Sequence, residues 1–265
     1  MIYHVEIMAN KVKFKLDSQN LNDFISKLDE LSKIDDTIKI KIDSENILMY
    51  SMLGGNVLLA FKNYLLKTED YLDKTDFDYK IDLIIPNSKK VVKNLAFIKD
   101  QSSVTLEMTY KESPDDDNIY LVRSFQIVSG KFKVNWLSGE HYEVRDIDKN
   151  SLSSRLDLKN KKWSFGIKNE EFLDIKKLSN INSERVLSIT VNKGNVTFSE
   201  KSAWELELES IDVERNANLI LNKRFLSCIN DKLNHIDFHI FDTFMLIKDV
   251  DSNLMLSFEQ DFSDD

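Results

Sequence analysis

Apolar residues recur along this chain with two periods, 3.6 and 2, and the same order of periods is written twice, over 13–136 and 163–258. Each copy opens on a short alternating strand: Phe14 and Leu16 in the first, Trp163, Phe165 and Ile167 in the second. Helical spacing follows. Leu21, Phe24, Ile25, Leu28 and Leu31 in one copy and Phe172, Ile175, Leu178 and Ile181 in the other each predict a one-sided amphipathic helix. Ser18 and Asn169 stand where side-chain N-caps are expected. A hairpin comes next, with Ile38, Ile40 and Ile42, the turn SEN, then Ile47 and Met49. The second copy repeats it at an offset of 149: Leu187, Ile189 and Val191, the turn NKGN, then Val196 and Phe198. More strand (Val57 to Phe61, and Trp204 to Leu208) leads to the apolar runs LIIP at 83–86 and LIL at 219–221. A second helix is predicted after each run, from SKKVVKNLAFIK and from NKRFLSCINDK. The copies close on Val104, Leu106 and Met108 with Phe132, Val134 and Trp136, and on Ile236, Phe238 and Ile240 with Leu254, Leu256 and Phe258.

This pattern predicts an α+β protein of two tandem modules, each with two helices packed on antiparallel sheets. The expected limits are 1–136 for the first module, 137–162 for an interdomain connector, 163–258 for the second module and 259–265 for an acidic C-terminal tail. In the connector the periodicity weakens and Ser, Asp, Asn and Lys accumulate, while ESPDDDN at 112–118 reads as a hairpin tip.

Composition narrows the chemistry. With 42% hydrophobic and 10% aromatic residues the chain has ample material for a core. Six Gly and two Pro exclude Gly-rich phosphate loops and Pro-rich linkers. Lone Cys228 allows neither an internal disulfide nor a thiolate zinc site, so the chain reads as intracellular. No run of 18 apolar residues is present. The net charge of −9 argues against indiscriminate binding to nucleic acid or anionic membranes, without deciding what any local surface does.

The segment DSENILMYSMLGGNVLLAF at 43–61 resembles the first hairpin of the DNA sliding clamps, the family of the proliferating cell nuclear antigen and the T4-like phage clamps. SKKVVKNLAFIKDQSSVTLEM is similar to that family's second helix and following strand, and VLSITVNKGNVTFSE to the matching hairpin of its second domain. The chain departs from the pattern at Leu53, where the family has an acidic residue, and in its long connector. The resemblance implies clamp-type modules that assemble as a closed ring of three chains around duplex DNA, helices lining the hole. A geometric ranking agrees. At about 10 Å per helix, two chains with four helices each leave an opening of about 15 Å, and three leave about 28 Å, against a duplex about 20 Å across.

Charge follows the same division. The helix regions 20–34 and 169–182 each sum to −1, 88–99 to +4 and 222–232 to +2, so the four carry +4 and the rest of the chain −13. Candidate DNA-facing cations are Lys27, Lys33, Lys89, Lys90, Lys93, Lys99, Lys176, Lys177, Lys223, Arg224 and Lys232. Lys89, Lys90 and Lys93 form the strongest group, opposite the apolar face of Val91, Val92, Leu95 and Ile98. A lysine on the polar face of an amphipathic helix is more often simply solvated, which is the competing reading for each one. By match to the family, Met52, Asn56 and Leu59, with Leu256 and Phe258 as floor and Tyr142 and Val144 as cover, would form a groove for partner peptides. The alternative is that these apolar residues are ordinary core. Expected subunit edges are the strand with Ile119, Leu121 and Arg123 and the strand with Trp204, Leu206 and Leu208.

No catalytic or metal-binding residues are expected. His4, His141, His235 and His239 are scattered, and His235 and His239, four apart in a strand, are not read as the one-face pair of helical metal sites. Asp115, Asp116 and Asp117 in the hairpin tip read as solvent-facing. The sequence therefore points to a processivity clamp without cofactor. Its expected partners are double-stranded DNA, DNA polymerase, a clamp loader and further copies of itself, with no membrane partner. The Lys, Asn and Ile richness suggests an AT-rich genome, and if phage-encoded the protein would work in the cytoplasm of a bacterial host. A monomeric clamp-like polymerase subunit and a peptide-binding adaptor are the competing readings.

Overall fold

Ile38, Ile40 and Ile42 lie on one side of a strand and are all buried, and Leu187, Ile189 and Val191 do the same 149 positions later. The computed structural model describes residues 10–16, 18–54, 58–73, 77–98, 104–116, 118–142, 144–147, 152–154, 156–181, 183–192, 194–201, 203–208 and 216–259. It divides into two units, one of residues 1–51 and 63–146, the other of 52–62 and 147–265. The connector expected at 137–162 is thus shared between them, and residues 52–62 of the first hairpin group with the second unit.

The first unit is built from β1 (Asn10–Leu16), α1 (Ser18–Ser32), β2 (Ile38–Ile42), β3 (Asn46–Gly54), β4 (Leu58–Lys67), the single turn α2 (Thr68–Tyr71), β5 (Lys80–Ile85), α3 (Ser88–Leu95), β6 (Val104–Glu112), β7 (Ile119–Ser129) and β8 (Phe132–Leu137). Strands run in the order β1-β6-β7-β5-β2-β3, with β8 also on β7. The antiparallel register of β2 on β3 places Ile42 opposite Ile47 and Ile40 opposite Met49, so both strands turn their apolar residues to the same face. α1 and α3 pack on each other, and Leu21, Phe24, Leu28, Val91 and Leu95 meet Phe14, Ile40, Leu83, Met108 and Phe125 in one core.

The other face of this sheet is covered in part by the first stretch of the connector. Lys39, only 3% exposed, places Nζ 3.4 Å from Asp82 Oδ2 and 3.1 Å from Asp146 Oδ1, while Lys41 reaches Asp146 at 2.6 Å. Tyr50 donates its hydroxyl to the Arg145 carbonyl. Burial opposes ionisation of Asp146, but the lysines outweigh it and hold the carboxyl below its usual range.

The second unit contains β9 (Trp163–Lys168), α4 (Asn169–Ser179), β10 (Val186–Asn192), β11 (Asn195–Glu200), β12 (Trp204–Leu208), β13 (Ala217–Asn222), a 3-10 helix (Lys223–Cys228), β14 (His235–Ile240), β15 (Phe244–Lys248) and β16 (Ser252–Ser257). One sheet runs β4-β16-β15-β14-β9, to which β4 contributes its residues 58–62, and a second runs β12-β11-β10-β13. Phe165 stacks on Phe238 at 4.7 Å, and Phe198 meets both at 6.3 Å. Counted from β1 and from β9, the units follow the same order of strands and helices apart from α2, with the 3-10 helix of the second standing where the first has α3.

Four local expectations are corrected. The segment at 222–232 is a 3-10 helix of six residues and not an α-helix. Its buried residues fall at Phe225 and Cys228 and at Leu226 and Ile229, a spacing of three that suits three residues per turn. Ile181 is 80% exposed, beyond the end of α4, because a strict spacing of three drifts about 60° per step around an α-helix. Ser18 is already helical. At α4 the cap position is Lys168, whose N–H donates to Glu171 Oε2 at 2.7 Å.

A buried ion pair ties the helical parts of the second unit together. Lys223 Nζ lies 3.1 Å from Oε2 of the fully buried Glu200 and donates to the Ser179 carbonyl at the end of α4. Replacing Glu200 by Ala is expected to cost about 3 kcal/mol in urea denaturation, because it strands a largely buried charge, while Glu200→Met with Lys223→Met recovers most of that loss.

Candidate functional site

The cations expected to face DNA fall into distinct environments. α3 begins after Asn87, which adopts φ +51°, and Asp36 Oδ1 accepts from the Lys89 N–H at 3.0 Å and from the Ser88 hydroxyl at 3.3 Å. That contact satisfies the helix N-terminus from another segment, a cap no local pattern shows. With Val91, Leu95 and Ile98 buried, Lys89, Lys90 and Lys93 are exposed, and among the described residues none has an acidic side chain within ion-pair distance. Lys99 lies outside the described residues.

Elsewhere the lysines are engaged. Lys27 is buried, 2.8 Å from Asp23, with its Nζ over the Tyr64 ring. Lys33 pairs with Asp29 at 3.3 Å, and Lys177 with Asp174 at 2.9 Å. Lys176 spans to Asp231 at 3.0 Å and lies over Phe172. Arg224 is exposed above the Phe225 ring, and Lys232 is exposed. In the second unit Lys176, Lys223 and Arg224 are brought together around a cleft of about 630 Å³, joined by Arg185, which the helix-by-helix charge reading missed because it sits in a loop. Arg185 itself pairs with Glu259 at 3.5 Å.

The groove candidates divide between the units. Met52 and Leu59 group with Leu256 and Phe258, whereas Tyr142 and Val144 belong to the first unit. Ser257 donates its hydroxyl to the Leu58 carbonyl, so Leu59, 45% exposed, and the residues flanking Ser257 share one strand junction. Leu256 is buried, and Phe258 lines a cleft of about 590 Å³ with Trp163, Ile220 and Phe241. Lys162 and Asp242 pair at 3.3 Å on its rim. Tyr142 is 83% exposed and Val144 is buried within the first unit. Asn56 lies outside the described residues.

One expected edge is overturned. β7, which carries Ile119, Leu121 and Arg123, is paired on both sides: with β6 along its length, with β5 at Ile119–Leu121 and with β8 at Ser124–Ser129. Between those two stretches the Val122 carbonyl meets His141 Nε2, and the Arg123 carbonyl accepts from the Ser138 N–H. A strand inserted between neighbours has no backbone left for another chain. β12, with Trp204, Leu206 and Leu208, pairs only with β11 and is an edge among the described residues.

His235, Asp237 and His239 share a face of β14, as even spacing in a strand requires, and two residues four apart in a strand are separated by about 13 Å, too far to share a metal. Among the described residues no three His, Cys, Asp or Glu side chains gather to hold a metal ion. No described helix is long and apolar enough to cross a membrane.

No family model matches the sequence, and no curated protein matches it. Solved structures do. The proliferating cellular nuclear antigen of Entamoeba histolytica superposes with a TM-score of 0.63 at 16% identity, over 95% of this chain and 99% of that one. The β chain of DNA polymerase III from Streptococcus pneumoniae gives 0.64 at 10% identity, over 95% of this chain and 66% of that one. A Helicobacter pylori β clamp bound to a DNA ligase peptide gives 0.62 at 15% identity, over 96% and 68%. The chain spans about two thirds of the bacterial β chains and nearly all of the nuclear antigen. The fold of this chain is that of the DNA sliding clamps.

Proposed function

We propose that three copies of this chain close head to tail into a ring that encircles duplex DNA and tethers DNA polymerase and other replication proteins to it. The observation that carries this reading is α3: three exposed lysines with no acidic side chain at ion-pair distance among the described residues, on the helix layer of a clamp-type module, in a chain whose net charge is −9. Such a surface follows phosphates loosely and reads no bases. The acidic remainder keeps stray binding low. Three is the smallest number of chains whose helices leave room for a duplex, and the nuclear antigen covered almost end to end is a chain of similar length. The ring does no chemistry. It holds a partner near its template and so raises the effective concentration of one for the other. The cleft beside Phe258, with its aromatic lining and charged rim, supports short hydrophobic peptides as the handles of those partners. A clamp loader would open the ring.

Changing Lys89, Lys90 and Lys93 to Glu shifts each chain by −6. DNA association is expected to fall, and the slope of log affinity against log salt to drop by about 1 for each lysine that had met a phosphate, with assembly unchanged. Wild-type protein loaded on circular DNA should be retained and should slide off linear DNA with open ends. Equal loss from both would remove the encirclement reading, whereas a triple variant that loads like wild type would remove only the lysine assignment.

Phe258→Ser is expected to weaken binding of a short hydrophobic polymerase-tail peptide at least tenfold, about 1.4 kcal/mol, and Leu59→Ser to act in the same direction. Unchanged affinity by calorimetry in the folded double variant would rule this site out.

A further inference from the structure

The polar face of α3 carries an aromatic ring that the core does not account for. The turn after the helix keeps helical bonds, from the Ala96 N–H to the Val92 carbonyl at 3.0 Å and from the Ile98 N–H to the Leu95 carbonyl at 2.9 Å, so residues 96–98 hold their places around the helix axis. At about 100° per residue, Val91, Leu95 and Ile98 point to the core, where all three are buried, and Phe97 falls between Lys90 and Lys93 on the side away from it. Phe97 is 78% exposed and stacks on no other ring among the described residues. The positions that α1 exposes are, by contrast, all polar: Asn22, Asp23, Ser26, Asp29 and Lys33.

We propose that this face of α3 binds unpaired, single-stranded DNA, with Lys90 and Lys93 on phosphates and the Phe97 ring stacked on a base. The inference rests on the reading above that the lysines of α3 meet DNA, and it adds a preference that lysines alone do not give. Phosphates are present on one strand or two, so a lysine face holds both. A base inside a duplex has its two flat faces covered by its neighbours, and admitting a ring means unstacking them. An unpaired base has a face free, and stacking on an aromatic side chain holds a single strand without reading its sequence. Phe97 lies one turn beyond Lys93, about 6 Å, and two turns beyond Lys90, about 10 Å, which places a base and its flanking phosphates within reach of all three. Charge favours the same occupant: the nearby Asp36 carboxylate is turned to the Ser88 hydroxyl and the Lys89 N–H at the start of the helix, which leaves the far side of α3 cationic. In a ring, such a face holds the chain where duplex gives way to an unpaired strand and lets it slide elsewhere.

Ile181, the exposed apolar side chain that follows α4, lacks both parts of this arrangement. It has no flat π-face, and the lysines of its helix are engaged, Lys177 with Asp174 and Lys176 with Asp231. An anionic membrane would also attract a basic face with an aromatic on it. Helices that lie in a membrane surface bury a whole apolar face there, however, and the apolar face of α3 is already occupied by the core, leaving a single ring.

The test uses the full chain and the fluorescence anisotropy of a labelled oligo-dT strand and of a blunt duplex of the same length, over a range of salt. Phe97→Ala should weaken binding to the single strand about tenfold at every salt concentration, because stacking releases no counterions, and should leave the salt slope, the duplex affinity and the melting curve unchanged. Phe97→Trp should bind the single strand at least as tightly as wild type, Phe97→Leu should behave like Phe97→Ala, and Ile181→Ala like wild type. Lys90→Gln with Lys93→Gln should instead lower the salt slope on both DNAs. A Phe97→Ala chain that holds the single strand like wild type, or that loses single strand and duplex alike, overturns the inference, as does a Phe97→Leu chain of wild-type affinity. Binding to phosphatidylglycerol vesicles that Phe97→Ala abolishes, with single-strand affinity unchanged, would assign the ring to a membrane instead. Retention on circular DNA separates this site from the ring: if wild type is retained there and Phe97→Ala binds oligo-dT normally, only the stacking role falls. If wild type is lost equally from circular and linear DNA while Phe97→Ala still loses the single strand, encirclement falls and the α3 site stands.

Discussion

Each unit has to bury a sheet face beneath helices of 8 to 15 residues, segments too short to hold their shape in water alone. That packing sets most of what lies outside it. Because Val91, Leu95 and Ile98 face the core, the lysines of α3 must face away from it. Because Trp136 and Leu208 are drawn toward the helix side of their units, the alternate residues of β8 and β12 present charge on the other side. The exposed lysines of α3 and the charged side of β8 and β12 are thus two consequences of one burial requirement, expressed through the helical period in one case and the strand period in the other.

Charge in this protein serves two separate ends. Lys39 and Lys62 are buried and Lys223 is largely so, and they hold structure, through Asp82 and Asp146, through the Cys228 carbonyl, and through Glu200 with the Ser179 carbonyl. Such groups contribute by being satisfied, and removing one partner costs more than the pair contributes. Lys89, Lys90 and Lys93 remain in water and lose little there, so their charge is available to a polyanion. An overall net charge cannot separate the two uses.

How far the sequence alone reached can be read from particular residues. The duplication, the α+β class and the apolar faces of β2, β10 and α1 were legible because periodicity records which side of an element is buried, and burial of one side is a local property of the pattern. The exposed lysines of α3 followed for the same reason. What only the tertiary structure decided depends on who the neighbour is. Lys27 loses its freedom to Asp23 and the Tyr64 ring, β7 loses its edge to β5 and β8, and the N-terminus of α3 finds Asp36 from another segment. The segment at 222–232 reads as a helix, yet only its packing selects three residues per turn over 3.6. Alternation tells which face of a strand is apolar, but strand order depends on contacts between residues far apart in the chain, and so the open edges at β8 and β12 emerge only once the sheets are assembled.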